Sequence, residues 1–82
     1  MKKTHIKAYN ALKKLGVPVY VHGDYEQGFD IDGEHPDSYL WLDYYDRPEW
    51  AFGINPKIDE ILTKHGLFAE WVNPAHARVY LA

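Results

Sequence analysis

Apolar residues near the start of the chain recur at helical spacing, with Ile6, Tyr9 and Leu12 on one stripe and Ala8, Ala11 and Leu15 beside it. The spacing predicts a helix that Thr4 caps and Gly16 ends, with Val17-Pro18 beyond. Over residues 17–22 the period falls to two. Val17, Val19 and Val21 point one way and Pro18, Tyr20 and His22 the other, with Pro18 suited to a strand start or an edge. Gly23 to Gly28 reads as a loop. Phe29-Asp30-Ile31-Asp32 alternates as a short second strand with Phe29 and Ile31 inward, and residues 34–38 form a turn. Residues 39–45 alternate most strongly, so a third strand is expected, with Leu40, Leu42 and Tyr44 on one face and Tyr39, Trp41, Asp43 and Tyr45 on the other. Asp46-Arg47-Pro48-Glu49 has turn chemistry, and residues 50–54 return as a fourth strand.

Asn55-Pro56 pairs an N-cap with a first-turn proline. Ile58, Ile61, Leu62 and His65 then follow at i, i+3, i+4 and i+7 of a second helix ended by Gly66. Residues 67–72 read as a strand, 73–76 as a turn and 78–81 as a closing strand. The order α-β-β-β-β-α-β-β, with strands grouped in hairpins, predicts a single α+β domain over residues 1–82. Its antiparallel sheet would carry both helices on one face. Parity then gives the opposite face Tyr20, His22, Asp30, Asp32, Tyr39, Trp41, Asp43 and Tyr45, and an antiparallel sheet can leave one face in water.

Composition allows this fold without a staple. The 82 residues are 46% hydrophobic and 16% aromatic, with no Cys, so large aromatic side chains must supply much of the core. The missing Cys fits a reducing cytoplasm, and residues 4–10 hold no apolar stretch of a secretory leader. A cytoplasmic protein is expected.

Charge changes the reading from fold to function. Lys2, Lys3, Lys7, Lys13 and Lys14 face no acid within residues 1–14. Residues 24–49 hold nine acidic residues against Arg47 alone, a net −8. Acid interleaved with large aromatics suits a surface that meets a basic partner.

Candidate chemistry is thin beside this. Asp30-x-Asp32-Gly33 matches part of a calcium loop, but Gly28 stands where the first Asp belongs and Tyr39 where the bidentate Glu belongs. The five histidines, His5, His22, His35, His65 and His76, make no zinc pattern. His22 near Asp24 and His35 beside Glu34 are the available acid–base pairs. Ser38 lies in no nucleophile elbow, no acid-x-Lys follows Pro36-Asp37, and the glycines stand singly. Aromatics on a sheet face would suit single-stranded RNA, but aspartates on that face repel phosphate.

The sequence therefore predicts a small acidic, non-enzymatic protein-interaction module without metal or cofactor. Its partner-binding set would be Asp24, Glu26, Asp30, Asp32, Tyr39, Trp41, Asp43 and Tyr45, meeting a protein with a basic surface. Such a surface can imitate a nucleic-acid backbone, and compact inhibitors made by phages and mobile elements are similar in size and acidity. Three alternatives stand beside it. One is a regulatory or assembly subunit, homodimeric through a strand edge or Trp41. Another is a metal-dependent enzyme using Asp24, Glu26, Asp30, Asp32, His22 or His35. The last is a nucleic-acid binder led by the lysine helix.

Overall fold

A computed structural model of the chain describes residues 1–45 and 49–82. Helix α1 spans Lys3–Leu15, β1 Val19–Tyr20, β2 Asp30–Asp32, α2 Pro56–Lys64, β3 Leu67–Asn73 and β4 His76–Leu81. Two 3-10 turns, Ser38–Leu40 and Ala51–Gly53, lie between β2 and α2. The strands form one antiparallel sheet in the order β1-β2-β4-β3. The α+β class and the antiparallel sheet are as the sequence predicts.

Local signals explain most of these elements. Gly16 ends α1 in the left-handed region at φ 99°. The Asn55 side chain accepts the Lys57 N–H at 2.9 Å, capping α2, and Gly66 follows that helix at φ 71°. The buried residues of α1 are His5, Ala8 and Leu12, while Ile6 is exposed. The apolar stripe is thus turned by one residue from the expected one. The ring of His5 meets Phe29 and Tyr25 edge-on, which makes it a core residue.

Two expected strands shrink to almost nothing. Segments 39–45 and 50–54 meet antiparallel at a single bridge, Leu42 with Ile54, and otherwise wind as the two 3-10 turns. The Ser38 hydroxyl bonds the Asp32 carbonyl, and the Trp41 and Leu42 amides both return to the Ser38 carbonyl, which coils the segment. Leu40 is consequently exposed and Leu42 buried. The turn expected at residues 46–49 lies, apart from Glu49, outside the described residues.

The sheet register sorts side chains into two faces. Val19, Ile31, Ala77 and Trp71 stand in one cross-strand row, and Tyr20, Asp30, Arg78 and Glu70 in the next. Alternation sends these rows to opposite faces. The first belongs with the core, where Ala8 and Leu12 of α1 and Ile58 and Leu62 of α2 pack with Phe29, Ile31, Leu67 and Val79. Both helices therefore cover one face. The other face carries the charged row.

Candidate functional site

The expected partner-binding residues divide among four places. Asp24 and Glu26 are exposed in the loop before β2. The Asp24 amide donates to His22 Nδ1 at 3.1 Å, and the two side chains lie 4.0 Å apart. Tyr39 is exposed on the first 3-10 turn, whereas Trp41 is partly buried against the core.

Asp30 and Asp32 keep the outer face that parity gives them, but Asp30 is 0% exposed. That corrects its place among the partner-facing residues. Its carboxylate accepts Arg78 Nε at 2.9 Å and the second guanidinium nitrogen at 3.2 Å, and His76 Nε2 lies 3.3 Å away. Arg78 also sits 4.9 Å from the centre of the Tyr25 ring, and the hydroxyl of Tyr25 donates to the Val79 carbonyl. The hydrogen bond to Asp30 holds the Arg78 guanidinium above its ordinary value. Burial, with Asp30 and Asp32 adding to it, raises the Tyr20 phenol. A buried carboxylate bound by both edges to guanidinium is a structural group and a poor general base. Asp32 accepts the Glu34 amide at 2.8 Å, closing the next turn.

Asp43 and Tyr45 come together with residues far along the chain. They line a groove of about 830 Å³ between residues 43–45 and 50–53 on one side and β3 on the other. Its wall includes Tyr44, Phe52, Phe68 and Trp71, and its charged described residues, Asp43 and Glu70, are both acidic. The Trp71 indole donates to the Phe52 carbonyl at 2.6 Å, and its ring meets Tyr44 at 5.1 Å nearly perpendicular. Tyr45 is 75% exposed and Phe52 89%. Phe52 also has φ 56°, the left-handed region that a bulky residue seldom occupies. The reason lies beside it: Gly53 bonds Asp43 through its carbonyl at 2.8 Å. A Cβ on Gly53 would fall 2.0 Å from the Asp43 oxygen. This close approach fixes the segment and thrusts the Phe52 ring into water.

Sequence reasoning missed Phe52, Phe68, Glu70 and Trp71 as members of this surface, and it placed Tyr44 inward. The one available signal was the pair Phe68 and Glu70 on the polar side of a strand, which alone does not name an edge.

Among the described residues no group of three or more His, Asp or Glu side chains is placed to hold a metal ion. His22 and His76 stack at 5.9 Å within 6° of parallel, and His35 lies 4.0 Å from Asp37. No helix among the described residues is long and apolar enough to cross a membrane. No protein-family model matches the chain, and no curated protein or solved structure matches it significantly.

Proposed function

We propose that this chain is a non-enzymatic protein-interaction module that takes a basic region of a partner protein into the groove that residues 43–45 and 50–53 form with β3. The observation that carries the reading is the concentration of exposed aromatic area there beside Asp43 and Glu70. Isolated exposed aromatics are ordinary, but a contiguous cluster rimmed by charge is the composition of protein interfaces. The expected acidic-aromatic surface thereby moves from the sheet face to the sheet edge. The absence of Cys agrees with action in a reducing cytoplasm. A partner whose own basic surface binds nucleic acid would be blocked by such an occupant, which is how an inhibitor of this kind would act.

The test begins with partners cross-linked in a host lysate, with and without nuclease treatment, and continues with the purified partner. Asp43→Lys with Glu70→Lys should weaken binding at least tenfold, about 1.4 kcal/mol. Affinity of the native chain should fall as salt rises, because screening removes attraction between opposite charges. Reversal of Lys3, Lys7 and Lys14 to Glu should leave binding intact. Should the helix variant lose the partner while the groove variant keeps it, or should nuclease abolish the association, a nucleic-acid role for α1 replaces this reading.

A further inference from the structure

The groove does not lie on one face of the sheet. Its lining includes Phe68, Ala69, Glu70 and Trp71, four consecutive residues whose side chains alternate between faces. A cavity that touches both faces of a strand must run along its edge. β3 is an end member of the order β1-β2-β4-β3, with β4 on its inner side. Among the described residues, no main-chain group of residues 68–72 makes a hydrogen bond on the side away from β4. The edge is long for so small a sheet, free of proline, and flanked by exposed aromatics, a combination that invites another strand.

From this we infer that the partner enters as an extended segment that adds a fifth strand to the outer edge of β3, with a basic side chain opposite Glu70. The inference rests on the interaction reading above and specifies its geometry. Main-chain hydrogen bonds to β3 hold the segment, while side chains leaning to the two faces meet the Phe68–Glu70 side and the Trp71–Tyr44 side. Charge selects the occupant. A second copy of this chain is the obvious alternative, but full antiparallel pairing of two β3 strands, residues 67–73, puts Glu70 at the centre opposite its own counterpart. Like charges directly opposed across strands are destabilising. A lysine or arginine at that position instead meets Glu70, with Asp43 also on the groove.

The probe is a short blocked peptide alternating lysine with valine, compared with two counterparts N-methylated at the valine or at the lysine amides. The native chain should bind the parent peptide. One methylated form should bind at least about tenfold more weakly, because half the amides of an added strand face its neighbour and cannot be methylated without losing those bonds. The other methylated form should bind like the parent. Amide exchange should slow at alternate residues of β3 in the complex. Glu70→Lys should weaken the parent peptide similarly while its circular dichroism stays native. Equal binding of all three peptides would overturn strand addition and leave simple charge attraction. Failure of the parent peptide to bind, when the natural partner still depends on Asp43 and Glu70, would overturn strand addition but spare the interaction reading. Slowed β3 exchange in the free chain, rising with protein concentration, would assign the edge to a second copy and refute the proposal.

Discussion

Removing Arg78 should damage the fold far more than removing its partner along with it. Asp30 is wholly buried, and its compensation comes from two guanidinium hydrogen bonds at 2.9 and 3.2 Å with His76 beside them. Arg78→Met keeps the aliphatic length of the side chain but leaves the carboxylate buried without its cation. Breaking a buried pair in this way costs about 3–5 kcal/mol, against total stabilities of about 5–15 kcal/mol for whole domains. For a domain of this size each kcal/mol moves Tm by about 4–8 °C, so the loss should be about 12 °C at the least. Asp30→Leu combined with Arg78→Met replaces both charges by apolar groups and should recover most of the deficit, since the desolvation of both ions is then avoided. Urea titration of the native chain, both single variants and the double variant gives the full cycle. A cost below about 1 kcal/mol for Arg78→Met would refute the reasoning, for it would mean that water reaches the Asp30 carboxylate. Additive single effects in the double variant would equally deny the coupling.

Further outcomes follow from other sites. Burial, joined by the positive charge of Lys2 and the N-terminus, holds the His5 imidazole below its ordinary value, and neither ring nitrogen has a hydrogen-bond partner; the nearby Val79 backbone opposes that shift only in part. The unfolded chain then takes up the proton near pH 6.5 while the folded ring stays neutral, so stability should fall as pH drops through that value. His5→Phe should flatten this part of a pH series of denaturant midpoints, and an unchanged slope would exclude His5 as its source. Phe52→Gly should raise stability by about 1 kcal/mol, because the left-handed backbone is relieved and an exposed ring loses little burial; a lower melting temperature would show that the ring is held by packing. Asn55→Ala should cost about 0.5–2 kcal/mol through loss of the cap on Lys57, measured by thermal unfolding, and no loss would mean the α2 end is satisfied by water.

Features that depend on a few adjacent residues were legible in the chain itself. Gly16 and Gly66 end or follow helices because a left-handed residue stops helical hydrogen bonding, and glycine takes that conformation without a Cβ clash. Asn55-Pro56 starts α2 because its side chain and its missing N–H both answer orphan donors at a helix end. The parity of residues 29–32 is equally local, and it sent Phe29 and Ile31 inward and Asp30 to the other face. What happened above Asp30 was not local. Arg78 arrives from 48 positions away and, with the Tyr25 ring packed over it, turns an outward-facing aspartate into a buried one. The alternation of residues 39–45 could not make a strand, because a strand is completed by a neighbour, and the sheet offers this segment only the bridge at Ile54. Of the candidate site, Asp43 and Tyr45 were expected at a partner surface, but what they meet is of this second kind. Phe68 and Glu70 acquire their meaning from β3 being the end of the sheet, and strand order is decided by how distant segments pack, which no short stretch of residues encodes.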